Sequence, residues 1–311
     1  MDDEQAWADQ KVLITGASGF LGSHLCRRLS ELGAEVHATS RAVRTSSIGG
    51  PCWWHSSLME MENVREILSK IKPEVIYHLA GSVGATPNID LVLPTFHSLL
   101  TSTVNVLIAA TELGCRRIVL IGSLTEPSPQ EAHPTPSSPY AAAKWAASGY
   151  GRMFHTLYNT PIVIATPFMT YGPGQDLRKM IPSVILSLLQ NKAPRLSSGL
   201  WDADWVYVDD VIEGFLAAAV VPGIEGATVD LGTGRKRSVR EVTEMIANLM
   251  DSSSKLLFGA IEDRPMEPIR VADRMATQRR LGWAAKTSLK KGLIQTIQWY
   301  ADQSATRERK G

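Results

Sequence analysis

The stretch Lys11-Val-Leu-Ile-Thr-Gly-Ala-Ser-Gly-Phe-Leu-Gly22 decides how the rest of the sequence is interpreted. It begins with a short apolar run of the kind that forms buried strands. Glycines follow with the spacing Gly-x-x-Gly-x-x-Gly, and leucines then recur at helical spacing as far as Gly33. Glycine permits a tight turn close to a phosphate, and a helix N-terminus attracts negative charge. The stretch therefore predicts a strand, a phosphate-binding loop and a helix, an arrangement that binds dinucleotides.

Strands and helices alternate through the first half of the sequence. Strands are predicted at 11–15, 35–39, 74–80, 117–121 and 162–165, and helices at 20–32, 61–71, 95–113 and from Tyr140. This alternation predicts an α/β fold with a parallel sheet covered by helices on both faces. After about residue 170 the pattern is less regular. It predicts a strand at 205–208 and helices at 180–189, at 210–220 with Asp209 as the cap, at 238–250 with a Ser238/Glu241 capping box, and at 289–300.

Composition and charge exclude several classes of protein. The sequence has 311 residues and a formal net charge of +1, so no strong field favours nucleic acid or an anionic membrane. We find no apolar run of the roughly 20 residues that a bilayer requires, and residues 1–10 do not resemble a secretion signal. The three cysteines lie far apart and the seven histidines are scattered. We therefore expect a cytoplasmic protein with no membrane contact, no disulfide framework and no metal.

The end of the second predicted strand bears on the choice between two nicotinamide cofactors. An acidic side chain there would accept a hydrogen bond from the adenosine ribose and favour NAD(H). This sequence instead has Ser40 and Arg41, with Arg44 close by. A guanidinium can donate two hydrogen bonds to a 2′-phosphate, so these residues favour NADP(H) over NAD(H). The alternative is that both arginines are solvated surface residues and either cofactor is accepted.

A second motif, Ser138-Pro-Tyr-Ala-Ala-Ala-Lys-Trp145, lies where a helix is predicted to begin. Tyr140 and Lys144 are four residues apart and share one helix face. A neighbouring ammonium group lowers the pKa of a phenol, so we expect Tyr140 to act as a general acid or base near neutral pH. Ser123 follows an apolar strand, at the edge of a parallel sheet where ligands bind, and could stabilise an oxyanion. Thr125 is the reserve candidate for that role.

Motifs along nearly the whole chain resemble the extended short-chain dehydrogenase/reductase family, in particular its nucleotide-sugar epimerases, dehydratases and ketoreductases. They are Thr-Gly-Ala-Ser-Gly-Phe-Leu-Gly at 15–22, His-Leu-Ala at 78–80, Tyr-Ala-Ala-Ala-Lys at 140–144, Tyr-Gly-Pro at 171–173, Trp-Val-Tyr-Val-Asp-Asp at 205–210 and Leu-Gly-Trp at 281–283. The resemblance implies a doubly wound Rossmann domain for the cofactor and a smaller C-terminal domain for a nucleotide-sugar. It also implies a homodimer formed through helices around 95–113 and 140–158.

The resemblance implies a division of the chain and a set of site residues. Residues 1–10 would be a polar tail, 11–170 the NADP-binding domain and 171–311 mainly the substrate domain, with 204–221 returning to the first domain. The catalytic set would be Ser123, Tyr140 and Lys144. The cofactor-binding residues would be Gly16, Ser18, Gly19, Phe20, Leu21, Gly22, Ser40, Arg41, Arg44, Ser57, Leu58, Leu79, Ala80, Gly81, Tyr140, Lys144, Pro167 and Met169. The substrate-binding residues would be Thr125, Lys179 and Arg264, the last two as partners of a diphosphate.

Departures from the family pattern narrow the choice among the family's reactions. The 4,6-dehydratases place acidic residues directly after the catalytic Ser/Thr, whereas Leu124 and Thr125 stand there in this sequence. Glu126 lies one position out of register, so dehydration is less favoured. Other positions where the family often has a different residue are Ser57 (an acid), Thr166 (Arg), Met169 (Asn) and Ala203 (Arg).

The leading hypothesis from the sequence is reduction of a nucleotide-linked 4-keto-6-deoxyhexose by NADPH. Tyr140 would donate the proton, Ser123 would polarise the oxygen, and Lys144 would tune Tyr140 and bind the nicotinamide ribose. The main alternative is a nucleotide-sugar epimerase that uses the same residues. A reductase of a small non-sugar ketone, suggested by Ala203, and a cofactor-binding regulator without turnover stay open as well.

Overall fold

The computed structural model describes residues 6–46, 49–84, 86–128, 133–263 and 269–308, except for the side chains of residues 307 and 308. The chain divides into two compact units. The first takes in the described residues up to Pro167, together with Ile212–Asp230 and Ala276–Trp283. The second takes in Phe168–Val211, Leu231–Met275 and the described residues from Ala284 onward.

A seven-stranded sheet forms the centre of the first unit. Its strands are β1 (Lys11–Thr15), β2 (Glu35–Ser40), β3 (Cys52–His55), β4 (Val75–His78), β5 (Arg117–Ile121), β6 (Ile162–Pro167) and β9 (Thr228–Leu231). Their order across the sheet is β3-β2-β1-β4-β5-β6-β9, and the pairs from β3 to β6 are parallel. The predicted parallel sheet of a Rossmann-type fold is therefore confirmed.

Helices accompany this sheet, and several of them share a hydrophobic core with it. They are α1 (Phe20–Glu31), α2 (Met61–Ile71), α3 (Val92–Thr95), α4 (Ser102–Leu113), α5 (Pro139–Tyr158), α7 (Val208–Val220, which continues from the second unit) and α9 (Arg274–Leu281). The buried side chains of α2, from Val64 to Ile71, recur at helical spacing and belong to the same cluster as Ile76 and Ile118 of the sheet. Each fully buried aliphatic side chain of this kind stabilises the fold by about 1.5–3 kcal/mol.

The helical stretch Ile89–Leu113 differs from its prediction. A π-helical segment, Phe96–Thr101, joins α3 to α4, so the helix predicted at 95–113 is wound differently in its first turns. Contrary to the sequence-based expectation, this stretch is long and apolar enough to cross a membrane. One such helix is weak evidence, because a helix in the core of a soluble protein passes the same test. Val106 and Leu107 of α4 lie in the core of the first unit.

A three-stranded sheet organises the second unit. Its strands are β7 (Met169–Tyr171), β8 (Asp202–Tyr207) and β10 (Lys236–Ser238), and β8 is central, parallel to β7 and antiparallel to β10. The helices of this unit are α6 (Met180–Leu189), α8 (Val239–Leu249) and α10 (Leu289–Glu308). The buried Asp204 carboxylate accepts backbone N–H bonds from Thr233, Gly234 and Ala272, which fixes the chain that follows β9. The predicted capping box of Ser238 and Glu241 is confirmed at the start of α8.

Several predicted boundaries are corrected. Helix α7 begins at Val208, directly after β8, so Asp209 lies in the first helical turn and is not the cap. A carboxylate in that turn still interacts favourably with the helix dipole. The terminal helix continues beyond Tyr300 to Glu308. Strands β3, β7, β9 and β10 and helix α9 were not predicted, because their short runs lack a clear hydrophobic period.

Candidate active site

The predicted phosphate loop joins β1 to α1 in a tight turn. The Gly19 N–H donates to the Gly16 carbonyl at 3.0 Å, and Gly16 has a φ of +67°, in the region that favours glycine. A Cβ on Gly16 would lie 2.8 Å from the Ala80 backbone nitrogen, and one on Gly22 would lie 2.3 Å from the Gly16 carbonyl oxygen. Helix α1 begins at Phe20 without a side-chain cap, so its first N–H groups can donate hydrogen bonds to an anion.

The position of this loop in the sheet also fits a dinucleotide. The strand order reverses between β1 and β4, and ligands of doubly wound sheets bind outside the carboxyl ends of the strands at such a switch point. The remaining predicted cofactor residues flank strand ends, namely Ser57 and Leu58 after β3, Leu79, Ala80 and Gly81 after β4, and Pro167 at the end of β6. In the glycine turn, a Cβ on Gly16 or Gly22 would collide with the backbone. This close-packed turn and the positions at the strand ends together fit a bound nicotinamide dinucleotide.

The buried His78 joins the end of β1, which leads into the loop, to α4. Its Nδ1 lies 2.9 Å from the Thr15 hydroxyl and its Nε2 lies 3.0 Å from the Thr103 hydroxyl. The Thr103 hydroxyl donates its single proton to the Leu99 carbonyl at 2.6 Å, so the His78 Nε2–H must donate to Thr103. Thr15 Oγ1 in turn accepts the Ala80 N–H at 3.2 Å. Burial, and secondly the charge of Lys144, lower the pKa of His78 to about 3, which keeps the imidazole neutral.

The predicted arginines lie at the edge of the sheet formed by β2 and β3. The Arg44 guanidinium lies over the Trp53 ring, 5.1 Å from its centroid. His55 Nε2 contacts the Arg41 carbonyl at 2.9 Å, and the Ser40 carbonyl accepts the N–H of the residue after His55. Sequence reasoning missed Trp53 and His55 because β3 was not predicted, although the aromatic run Cys-Trp-Trp-His is typical of a strand.

Ser123 and Thr125 lie in the turn after β5. Their hydroxyl oxygens are 2.9 Å apart, and the Thr125 N–H donates to Ser123 Oγ at 3.2 Å. Glu126 closes the turn, since its N–H donates to the Ser123 carbonyl at 3.1 Å and its Oε1 accepts the Ser123 N–H at 2.7 Å. The turn therefore holds the buried Ser123 in one orientation with a second hydroxyl within reach.

Tyr140 and Lys144 lie on the first turns of α5, as predicted. The helix begins where Ser138 accepts an N–H of its first turn, with proline at the first position. The Ser123 side chain interacts with the Tyr140 phenol. Lys144 is buried, and its Nζ donates to the Ile121 carbonyl at 2.9 Å. The structure thus brings together the three residues of the predicted catalytic set.

The protonation of this set differs from the expectation. Burial raises the pKa of Tyr140, and the hydrogen bond with Ser123 opposes that rise. Burial lowers the pKa of Lys144 to about 8, and the negative charge of Glu126 opposes that fall. The predicted lowering of the Tyr140 pKa by Lys144 is therefore wrong, because the desolvation of the phenol is the larger effect.

The remaining predicted site positions belong to the second unit. Met169 is the first residue of β7, and Lys179 is the exposed N-cap of α6. Ala203, where the family often has arginine, is buried in β8. Arg264 lies outside the described residues.

Comparisons with known proteins agree with this fold and motif order. Residues 12–232 match the model of the NAD dependent epimerase/dehydratase family. A UDP-glucose 4-epimerase of Mycolicibacterium smegmatis is 28% identical over 322 residues, covering 94% of this chain and 99% of its own. A dTDP-glucose 4,6-dehydratase of Neisseria gonorrhoeae is 25% identical over 357 residues, covering 98% and 99%.

Solved structures share the fold. The UDP-glucose 4-epimerase of Thermus thermophilus, in complex with NAD, superposes with a TM-score of 0.81 at 23% identity, over 93% of this chain and 98% of that one. The segment matched by the family takes in the glycine loop, Ser123, Tyr140 and Lys144. The chain therefore belongs to the NAD-dependent epimerase/dehydratase family.

Proposed function

We propose that this protein transfers hydride between a nicotinamide nucleotide and a nucleotide-linked sugar, and that it reduces a 4-keto-(6-deoxy)hexose. The observation that carries the proposal is that Ser123 and Tyr140 interact at the carboxyl edge of the sheet, with the buried Lys144 one helical turn away. The nicotinamide nucleotide, when bound, supplies the hydride. The family model and the curated relatives support a nucleotide-sugar substrate.

Tyr140 is the proton donor of the proposed reaction. Its raised pKa keeps the hydroxyl protonated at neutral pH, so Oη holds a proton for the substrate oxygen. Ser123, whose side chain interacts with Tyr140, donates to the same oxygen and stabilises the charge that develops there. The Lys144 ammonium, with a pKa of about 8, stabilises the phenolate that remains after proton transfer.

The edge formed by β2 and β3 supports a preference for NADP(H). Arg44 stacked on Trp53 is pre-organised, so less side-chain entropy is lost when it binds a 2′-phosphate. We expect Arg41→Ala and Arg44→Ala to weaken NADPH binding at least tenfold and to leave NADH binding nearly unchanged. Fluorescence titration measures both affinities. Equal losses for the two cofactors would contradict the preference for NADP(H). The alternative preference, for NAD(H), is represented by the Thermus thermophilus epimerase, whose structure is a complex with NAD.

A second candidate is 4-epimerisation of a nucleotide-sugar, and the similarity to the UDP-glucose 4-epimerase of Mycolicibacterium smegmatis favours it. In that reaction Tyr140 would take a proton from the sugar hydroxyl. It would return the proton after the keto-sugar intermediate has rotated to present its other face to the cofactor. Dehydration has less support, because Glu126 Oε1 is bonded to the Ser123 N–H and the positions directly after Ser123 are not acidic.

One experiment separates these reactions. The protein is incubated with NADPH or NADH and a panel of nucleotide-sugars and nucleotide-linked ketosugars, and cofactor absorbance and product mass are followed. A reductase consumes one NADPH per product, whereas an epimerase inverts the sugar without net consumption. Tyr140→Phe should abolish turnover and retain cofactor binding. Full activity of that variant would refute the catalytic assignment, and cofactor binding without turnover on any substrate would favour a regulator.

We also propose a homodimer formed through the helices of residues 92–101 and α5. These segments expose apolar side chains, among them Leu93, Phe96, Tyr150 and Leu157. Covering such side chains is favourable, and helix pairing would bury them together. Light scattering should give twice the monomer mass, and Phe96→Glu should shift it toward the monomer.

A further inference from the structure

Glu126 is a half-buried carboxylate that the proposed reaction does not use directly. Its Oε1 accepts the Ser123 N–H at 2.7 Å, and its own N–H donates to the Ser123 carbonyl at 3.1 Å. The two bonds hold the backbone of Ser123 from both sides. Removing a carboxylate partly from water is costly unless hydrogen bonds and charges compensate it, so the surroundings of Glu126 bear on its role.

The surroundings of this carboxylate are small or hydroxylated. A Cβ on Gly122 would lie 3.0 Å from Glu126 Oε1 and 2.8 Å from Thr166 Oγ1, so glycine leaves the space that the carboxylate fills. The buried Ser148 of α5 interacts with the Glu126 side chain. These contacts direct Glu126 toward α5, the helix that carries Tyr140 and Lys144.

The charged and titratable groups that face Glu126 from α5 are Tyr140, Lys144 and Arg152. From the turn and β6 it is approached by the uncharged Ser123 N–H and by the Thr166 position beside Gly122. Burial raises the pKa of Glu126, and its hydrogen bonds and the charges of Lys144 and Arg152 oppose that rise. The negative charge of Glu126 raises the pKa of both Tyr140 and Lys144.

We propose that Glu126 is a positioning residue, which clamps Ser123 through its backbone and places a negative charge against the Tyr140–Lys144 pair. This inference rests on the proposed roles of Ser123, Tyr140 and Lys144. A negative charge at this place disfavours the phenolate and favours the ammonium. It therefore keeps the transferable proton on Tyr140 Oη and the positive charge on Lys144, which is the state that a reductase needs before proton transfer.

Two substitutions separate the charge from the clamp. Glu126→Gln keeps the Oε1 acceptor for the Ser123 N–H and removes the charge, whereas Glu126→Leu removes both. Glu66→Gln is the matched control, because it removes the same charge from an exposed ion pair with Lys70. Thermal unfolding checks that each variant is folded. If Glu126→Leu is not folded, Glu126→Gln still tests the proposal.

The first readout is the ionisation of Tyr140, which does not depend on turnover. The ultraviolet absorbance of phenolate is followed against pH, and the matching Tyr140→Phe background is subtracted to isolate Tyr140. We expect Glu126→Gln to move this titration to lower pH and Glu66→Gln to leave it in place. An unchanged titration in Glu126→Gln would overturn the electrostatic part of the proposal.

The second readout is the pH dependence of kcat with the best substrate of the panel. We expect the high-pH limb, where Lys144 and then Tyr140 lose their protons, to move to lower pH in Glu126→Gln, because the Glu126 charge raises the pKa of both groups. We expect Glu126→Leu to lose about tenfold or more in kcat with little change in the KM for cofactor, because Ser123 is no longer held. A Leu variant with wild-type kcat would overturn the clamp. A shifted Tyr140 titration in a protein without turnover would uphold this inference and refute the proposed function.

Discussion

The neutral His78 predicts how the stability of this protein depends on pH. An unfolded histidine has a pKa of about 6.5, whereas burial and the Lys144 charge lower the pKa of the folded His78 to about 3. Because the folded value is depressed, unfolding binds a proton at mildly acidic pH. The stabilisation is complete above pH 6.5 and is lost progressively as the pH falls toward 3. At pH 5, about 1.5 units below the unfolded pKa, the expected loss is about 2 kcal/mol.

The test compares wild type with His78→Gln, whose side chain does not titrate. Urea unfolding at pH 7.5 and pH 5 gives the free energy of unfolding of each protein. At pH 7.5 the variant should be less stable by about 1–3 kcal/mol, because Thr15 and Thr103 lose a buried partner. Between the two pH values wild type should lose about 2 kcal/mol more than the variant.

Groups other than His78 titrate in both proteins, and their contributions cancel in this difference. His97→Gln is the control, because it removes an exposed imidazole and should retain the wild-type pH dependence. Equal losses in wild type and His78→Gln would refute the reasoning, since His78 would then not be held neutral by its buried network.

Three further predictions concern the loop and the two units. Gly22→Ala should weaken cofactor binding more than tenfold in a fluorescence titration, because its Cβ would lie 2.3 Å from the Gly16 carbonyl oxygen. Gly149→Ala, whose Cβ meets nothing within 4 Å, should leave binding unchanged, and a loss there would speak against the steric account. Arg117→Met should destabilise the protein by about 3 kcal/mol in urea, because its buried guanidinium holds two backbone carbonyls and a carboxylate. Ser238→Ala should lower the free energy of unfolding by about 1 kcal/mol through loss of the α8 cap, and an unchanged midpoint would contradict that cap.

Features that depend on neighbours along the chain were predictable from the sequence. The glycine loop needs only the conformational freedom of glycine between a strand and a helix, and the spacing of Tyr140 and Lys144 follows from helical geometry. The capping box at Ser238 is equally local, since its two bonds join residues three apart. The alternating pattern predicted the parallel sheet, because crossover helices must cover both of its faces.

Features that depend on burial and on distant partners were decided by the tertiary structure alone. His78 contacts a threonine 63 positions away, and no local pattern indicates that contact. The sequence predicted a lowered pKa for Tyr140 from the nearness of Lys144, whereas burial raises it, because desolvation depends on every element packed around the phenol. Glu126 appeared out of register in the sequence, but folding of the turn directs its carboxylate to the Ser123 N–H and to α5. Sequence therefore determined which chemical groups the site contains, and packing determined their partners and protonation, since both depend on how far water is excluded.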